Sequence, residues 1–351
     1  MSHPDASSRL TEATVQASPA APSRLAAGLV PLPQALGDLL PDEVLTATIF
    51  GHDKAVLPDP RCRHIELDQL AGAGLAEVWR GSGPVRHGAA GPLCYVEDGD
   101  HLAGWLDLEE SGCGGLKAAA EAAYLAVLRF HATSPYRHVW RIWNYISAIN
   151  EGIGDDERYR QFCVGRARAL ATVPLHGSGI GYPAATAVGN PLGARTLRLA
   201  WIAAREPGQA IESPRQLSAY RYPRRYGPVS PNFSRAMLVP DGLLLVSGTA
   251  SIVGHETRHD GDPIAQLHET LDNLEALVTE ASAVGSFHRT PLGTDSLLKI
   301  YLRHHDDRPA IEQDLRERLG NSVPVLILGA DICRSDLLVE IEAVHQFRGR
   351  R

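Results

Sequence analysis

The segments GLLLVSGTASI (residues 242–252) and DPIAQLHETLDNLEALVTEAS (residues 262–282) predict a strand followed by an amphipathic helix. Asp262 is a suitable N-cap residue and Pro263 fits the first helical position, so the helix is expected to begin there. Its apolar residues are spaced three or four apart and form one face: Ile264, Leu267, Leu271, Leu274 and Val278. This face needs a sheet to pack against.

The rest of this half of the chain continues the alternation of strands and helices. A strand is predicted at 296–303, a helix near 309–319 and a final strand at 336–344. In the final strand apolar residues alternate with Glu340 and Glu342. This period of two is typical of a half-buried strand whose carboxylates face solvent.

The first half of the chain repeats the same order of elements. Strands are predicted at 101–110, 137–146 and 195–204, and helices at 115–131 and 155–170. Strand, helix, strand, helix, strand therefore occurs twice. The repetition predicts a duplicated α+β fold of two sheets, each backed by helices.

The composition of two polar stretches sets the expected domain boundaries. Residues 1–24 are rich in Ser, Ala, Pro and Thr without apolar periodicity, which predicts a disordered leader. The stretch REPGQAIESPRQ at 205–216 reads as a linker. We therefore expect one domain at 25–205 and a second at 206–351.

The overall charge and the cysteines exclude several classes of protein. The net charge of -7 argues against a nucleic-acid-binding surface or attachment to an anionic membrane, and no apolar run approaches the length of a membrane span. The five cysteines include no C-x-x-C pair, so neither a zinc ribbon nor a disulfide framework is expected. A reducing cytoplasm is the expected location.

One motif, HETRH at 255–259, matches the H-E-x-x-H pattern of zinc peptidases. That chemistry needs both histidines on a stable helix, one turn apart. Gly254 precedes the motif and DGDP follows it, which leaves too little chain for a helix. We therefore expect His255 and His259 to lie in a connection, and we expect no metal or organic cofactor.

The second half resembles the RidA (YjgF) family. The segments GPVSPNFSRAMLVPDGLLLVSGTASI, LDNLEALV and LLVEIEAV occur in that family's order. The resemblance implies a glutamate at a cleft on the terminal strand, and the match falls on Glu340. Deaminases of the family place an arginine before this glutamate, where this chain has Leu328, Gly329 and Ala330. This difference argues against enamine or imine deamination.

The first half carries a sharper resemblance. GPLCYVEDGDHLAGWLDLEE, SPYRHVWRIWNYISAIN, DERYRQFCVGRARAL and YRYPRRYGPVSPNFSRA are similar to segments of the chorismatases. These enzymes fuse a degenerate RidA-like half to an active one, so the resemblance implies two RidA/YjgF-like (chorismate-mutase-like) halves. It also implies cleavage of chorismate to pyruvate and a ring product without a cofactor.

The resemblance assigns roles to seven residues. Glu340 would be the general acid that protonates the enol ether of chorismate, a carboxylic acid held neutral by partial burial. Five residues would bind the substrate's carboxylates and orient its ring: Arg141, Tyr145, Arg166, Tyr222 and Arg235. Chorismatases that form a benzoate resemble this chain in having a cysteine seven residues before the glutamate, here Cys333. A second position that separates the product classes lies within Ser247–Ala250.

The sequence therefore predicts a chorismatase that releases pyruvate and 3-hydroxybenzoate, either alone or with 4-hydroxybenzoate. Two alternatives stay open. A hydrolytic chorismatase would give pyruvate and a trans-dihydroxycyclohexadiene carboxylate, and a RidA-like regulator would bind an anion without turnover. Chorismate is the expected partner, without nucleic acid or membrane. We expect a monomer because the duplication supplies an internal interface.

Overall fold

The computed structural model describes residues 25–31, 41–52, 59–72, 74–173, 182–190 and 194–349. The predicted leader at 1–24 lies outside these residues. None of the helices in the described ranges is both long enough and apolar enough to cross a membrane.

The strands are, in chain order, β1 Ala26–Pro31, β2 Val44–Phe50, β3 Cys62–Ile65, β4 Asp68–Ala71, β5 Leu75–Arg80, β6 Arg86–Ala90, β7 Leu93–Glu97, β8 His101–Glu109, β9 His138–Ile146, β10 Ala184–Gly189, β11 Thr196–Ala204, β12 Gln209–Ile211, β13 Ala236–Leu238, β14 Leu243–Ala250, β15 Ile252–Val253, β16 Glu256–Thr257, β17 Ser296–Leu302, β18 Val325–Gly329, β19 Asp331–Ile332 and β20 Val339–Gln346. The α-helices are α1 Glu110–Cys113, α2 Leu116–Thr133, α3 Arg158–Thr172, α4 Pro263–Val284 and α5 Arg308–Leu319.

The helix α4 begins where its capping residues predict. Asp262 is the N-cap, and its carboxylate accepts hydrogen bonds from the backbone N–H groups of Ile264 and Ala265. Pro263 occupies the first turn, as expected. The apolar face of α4 packs on the sheet that contains β14 and β20, and its buried residues include Leu267, Leu271 and Leu274.

Two seven-stranded sheets confirm the predicted duplication. The first has the order β19-β10-β9-β11-β8-β7-β6 and the second β12-β13-β14-β20-β17-β18-β4. In the first, β11 lies antiparallel between β8 and β9, and β10 runs parallel to β9. In the second, β20 lies antiparallel between β14 and β17, and β18 runs parallel to β17. The short parallel strands β10 and β18 were not predicted.

Each half lends a strand to the sheet of the other. Strand β4 pairs with β18 of the second sheet, and β19 pairs with β10 of the first. The predicted linker at 205–216 contains β12, which forms an edge of the second sheet. The linker prediction was therefore wrong for this strand, because its main-chain groups complete a sheet. The domain boundary between 205 and 206 stays a prediction.

A four-stranded sheet with the strand order β1-β5-β2-β3 was also not predicted from the sequence. It packs against both large sheets, and one buried apolar cluster contains residues of all three. Leu45 and Trp79 come from the four-stranded sheet, Trp143 from the first large sheet and Leu245 from the second. The helix-free faces of the large sheets are thus covered rather than open to solvent.

This covering changes the environment of β20. The strand is buried on both faces, and Glu340 and Glu342 are only 4% and 5% exposed. The prediction of a half-buried strand was therefore wrong, and Glu340 is buried more deeply than the partial burial expected of an acid. Two carboxyl groups at this depth each need a compensating partner or a proton.

Candidate active site

Glu340 lies in a tight buried space beside the backbone of β14. A Cβ atom at Gly248 would come within 2.2 Å of its Oε1 atom, so the carboxyl group occupies the space that a larger residue would fill. None of the described residues donates a hydrogen bond to this carboxyl group. Burial and then the charge of Glu342 raise the pKa of Glu340 to about 8, against the opposing effects of nearby arginines.

Glu342 has the opposite environment. Its carboxylate forms ion pairs with Lys299 and Arg141. It also accepts hydrogen bonds from the Trp143 indole N–H at 3.0 Å and, in the same cluster, from two hydroxyl groups, those of Thr186 and Tyr301. Burial alone would raise its pKa, but the two cations outweigh burial and hold the pKa of Glu342 well below its usual range.

The two carboxyl groups therefore differ in protonation at neutral pH. Glu340 retains its proton, whereas Glu342 is an anion. Sequence reasoning separated them only by resemblance. A neutral carboxylic acid without a hydrogen-bond partner is a proton donor whose pKa lies near physiological pH, which is the arrangement that general acid catalysis requires.

Cys333 lies in the turn between β19 and β20. It packs against a small apolar group that includes Ala250, Ile252 and Leu337. Burial and then the nearby charge of Glu340 raise the pKa of the Cys333 thiol, so it remains protonated. The cysteine therefore contributes bulk and a weak S–H group to this apolar group, not a nucleophilic thiolate.

Arg303 fixes the turn that carries Cys333. Its guanidinium donates hydrogen bonds to the backbone oxygens of Ile332, Arg334 and Leu337 at 2.8–3.0 Å. It also pairs with Asp331 at 2.8 Å. Every polar atom of this side chain is thus used within the protein, so Arg303 positions the turn.

Four arginines have a buried nitrogen with no partner in the described part of the chain. The atoms are Arg141 Nη1, Arg166 Nε, Arg235 Nε and Arg334 Nη2. Three of these residues are the arginines that the sequence proposed as substrate ligands. The fourth, Arg334, follows Cys333 and was not proposed. An unsatisfied guanidinium N–H is costly to bury unless an anion or another acceptor binds there.

Arg166 is the most isolated of the four. It is 2% exposed, and among the described residues no carboxylate lies within salt-bridge distance. Its guanidinium lies over the ring of Phe162 at 4.9 Å and over that of Tyr124 at 5.9 Å. Its Nη2 atom is 3.7 Å from the sulfur of Cys163. A buried cation held by two aromatic faces and a thiol, without a carboxylate partner among the described residues, is suited to pair with an incoming anion.

Arg235, Tyr222 and Arg334 form a contiguous group. The Arg235 Nη2 atom donates to the Tyr222 hydroxyl at 2.6 Å and to the backbone oxygen of Leu217. The Arg334 guanidinium lies 4.9 Å from the ring centre of Tyr222 and 4.0 Å from that of Tyr226. Two cations and a phenol therefore share one wall near the turn of Cys333.

Arg141 and Tyr145 lie on β9, nearer to Glu342 than to this wall. Arg141 is bound to Glu342 and Thr186, which leaves Nη1 free. Tyr145 lines a cavity with Trp79 and Trp105 between the four-stranded sheet and the first large sheet. Tyr145 thus lies near the charged cluster of Glu342, Lys299 and Arg141. Its hydroxyl group forms no hydrogen bond with the described residues.

Several contributors to the site were missed by the sequence analysis. Lys299 pairs with Glu77 as well as with Glu342, and Thr186 contacts Gly248 across the two halves. Lys299 carried a signal, since it is a charged residue inside an apolar strand in a chain with few lysines. The others gave none, because their contacts are remote in sequence.

The HETRH motif forms a hairpin and not a helix, as predicted. Strand β15 precedes the motif and pairs with β16, which Glu256 and Thr257 of the motif form. His255 lies at the turn and interacts with Arg225, whereas His259 lies 3.3 Å from Glu269. The two imidazoles are therefore held by different partners. In the described ranges no three potential metal ligands cluster together.

Comparison with known proteins places these residues in a family context. A family profile described as "Chorismatase FkbO/Hyg5-like, N-terminal" matches residues 77–203. A 3-hydroxybenzoate synthase of Streptomyces hygroscopicus is 36% identical over 77% of this chain and 81% of its own length. A chorismatase of Streptomyces rapamycinicus is 41% identical over 88% of this chain and 94% of its own length.

A solved structure is also similar over most of the chain. A chorismatase crystal structure aligns with a TM-score of 0.80 and 31% identity, covering 92% of this chain and 98% of the other. The aligned region therefore includes most of both halves of this chain.

Proposed function

The chain belongs to the chorismatase family, and on that premise we propose that it cleaves the enol ether of chorismate to release pyruvate and 3-hydroxybenzoate, alone or with 4-hydroxybenzoate. The observation that carries the proposal is the buried, unpaired carboxyl group of Glu340, with a pKa of about 8. Glu340 protonates the vinyl methylene carbon of the substrate. This step converts the enol ether into an oxocarbenium ion and leaves Glu340 as a carboxylate facing the new cation.

The arginines with free nitrogens are the proposed ligands of the two substrate carboxylates. Arg235 and Arg334, with the Tyr222 hydroxyl between them, form one anion-binding wall. Arg166 and the free Nη1 of Arg141 supply further cationic groups. Tyr145 is the proposed group that orients the substrate ring, and it lies on the side of the charged cluster of Glu342, Lys299 and Arg141.

Cys333 is the proposed determinant of the product, together with a second position within Ser247–Ala250. The oxocarbenium ion can be captured by water or by a ring oxygen of the same substrate molecule. Internal capture followed by loss of pyruvate and aromatisation consumes no water, and the atoms of chorismate divide completely between pyruvate and the hydroxybenzoate. The Cys333 thiol belongs to an apolar group next to β20, and its bulk would exclude water from the cation, which favours internal capture.

Two alternative functions make different demands on the same site. The hydrolytic reaction would consume one water and give a dihydrodiol acid. A non-catalytic binder would need the arginines but would have no use for a carboxyl group kept neutral beside them. The supporting relative named 3-hydroxybenzoate synthase favours the aromatic product. The monomeric state and the cytoplasmic location stay predictions.

The test is product analysis. Purified protein is incubated with chorismate, and the ring products are separated by chromatography and identified by mass. We expect pyruvate and hydroxybenzoate in equal amounts. A dihydrodiol acid as the main ring product would support the hydrolytic alternative, and unchanged chorismate would support the binder.

A further inference from the structure

Thr186, on β10 of the first half, is hydrogen-bonded to three groups that surround the acid. Its Oγ1 atom lies 2.5 Å from the Glu342 carboxylate and 3.0 Å from the backbone nitrogen of Gly248, and it also contacts Arg141. The residue is 3% exposed. Its hydroxyl group therefore has three partners and no contact with bulk water.

The chemistry of these partners fixes the direction of each hydrogen bond. The guanidinium of Arg141 and the N–H of Gly248 can only donate, so both lone pairs of the Thr186 oxygen accept. The single hydroxyl proton must then point to Glu342. All three hydrogen bonds of Thr186 can form only while the Glu342 carboxylate accepts one of them, which agrees with the ionised state of Glu342 between Lys299 and Arg141.

The same hydroxyl group is connected to Glu340 by two routes. Gly248 forms the wall against which the Glu340 carboxyl group lies, and its N–H is bound to Thr186. Glu342 projects from the same face of β20 as Glu340, two residues further on. Thr186 thus contacts both the backbone and the anion that flank the acid.

The anion is held in place from a third direction. Lys299 on β17 lies 2.5 Å from Glu77 on β5, and the Trp79 indole N–H donates to Glu77 at 3.0 Å. Elements of all three sheets therefore meet at the Glu342 cluster. Thr186 is a neutral member of this cluster, like Trp143 and Tyr301, so it can be changed without removing a charge.

We propose that Thr186 is a positioning residue for the general acid, holding the Gly248 backbone and the Glu342 carboxylate in place on either side of Glu340. The expected change in kcat rests on the proposed function, whereas the expected change in the pKa of Glu340 does not. With this role, a residue from the sheet of the degenerate first half holds the catalytic strand of the second half in place.

The charged and titratable groups that act on Glu340 determine the expected effect on pH dependence. They are Glu342 on the same strand, Arg141 on β9, Arg235 before β13, Arg303 after β17 and Cys333 in the turn after β19. Glu342 is the anion in this set, and the three arginines favour the ionised form of Glu340. Displacing the Glu342 carboxylate therefore lowers the pKa of Glu340.

The experiment compares Thr186→Val, which replaces the hydroxyl group by a methyl group, with Thr186→Ser, which keeps it. We expect Thr186→Val to move the alkaline limb of the kcat profile down by about one pH unit, which by itself lowers kcat at pH 7.5 about threefold because the pKa of Glu340 starts at about 8. Thr186→Ser should restore most of the lost activity and the original limb. Unchanged kcat and an unchanged limb in Thr186→Val would overturn the inference.

A second measurement separates this inference from the proposed reaction. Carbon-13 NMR of labelled glutamate carboxyl groups, assigned with Glu340→Gln, reports the pKa of Glu340 without any turnover. We expect the Glu340 signal to titrate about one unit lower in Thr186→Val than in the unchanged protein. If Thr186→Val does not fold, Thr186→Ala replaces it. An identical titration would refute the positioning role even if chorismate is not the substrate.

Discussion

Glu340 and Glu342 lie two residues apart on one face of β20, yet near neutral pH the carboxyl group of Glu340 is neutral and that of Glu342 is an anion. Glu342 is surrounded by Lys299, Arg141 and three further donors, whereas Glu340 has no donor among the described residues. Burial and then the negative charge of Glu342 keep the proton on Glu340. One strand thus supplies both an acid and an anion that helps to keep it protonated.

The pH dependence of the rate follows from this relationship. Because Glu340 must carry its proton to act as the acid, kcat should be constant from pH 6 to about 7.5 and fall about tenfold per unit above about pH 8. Both substrate carboxylates stay ionised throughout this range. The measurement is steady-state pyruvate release from pH 6 to 10, and a rate that rises with pH through 8 would show that the essential group acts as a base.

The product ratio depends on Cys333. Cys333→Ala opens space for water beside the oxocarbenium ion, so hydroxybenzoate should fall more than pyruvate does, and the dihydrodiol acid should rise as a share of product. Cys94→Ala, at an exposed cysteine, is the matched control. Equal loss of pyruvate and hydroxybenzoate would indicate that Cys333 has only a structural role.

Substrate affinity depends on Arg334. Arg334→Met removes one of the two cations beside Tyr222, and we expect KM for chorismate to rise at least about tenfold, as for loss of one charge-assisted hydrogen bond. The turnover number should change much less, because the acid is retained. Arg129→Met, on the exposed surface of α2, serves as the control. A KM within twofold of the unchanged enzyme would remove Arg334 from the binding site.

Metal removal should leave activity intact. His255 lies in a hairpin and His259 interacts with Glu269, so the HETRH motif lacks the helix that a zinc peptidase site needs. Exhaustive dialysis against a chelator should change kcat by less than twofold. If activity is lost and added zinc restores it, the prediction is contradicted, and His255 and His259 become candidate zinc ligands.

Local patterns predicted much of the fold. The cap at Asp262 and the apolar spacing of α4 located that helix, and the repeated order of elements predicted the duplication. The four-stranded sheet and the short strands β10 and β18 were missed. Each is stabilised by pairing with remote chain segments, so its own residues carry little periodicity.

The candidate site was predictable only in part. Resemblance pointed to Glu340 and to three arginines, and the structure gives each of those arginines a buried nitrogen without a partner in the described ranges. The burial of Glu340 contradicted the alternating pattern of its strand, because the face expected to meet solvent is covered by the other sheets. The link from Thr186 to Gly248 joins the two halves of the chain, and no local pattern reports such a contact.

The most direct test of the account is the turnover of Glu340→Gln. Glutamine keeps the shape of the side chain but cannot donate a proton to carbon, so kcat should fall at least about a hundredfold while KM and the circular dichroism spectrum stay close to those of the unchanged enzyme. Glu280→Gln, at an exposed position, controls for the substitution itself. Near-normal release of pyruvate by Glu340→Gln would contradict the assignment of Glu340 as the general acid.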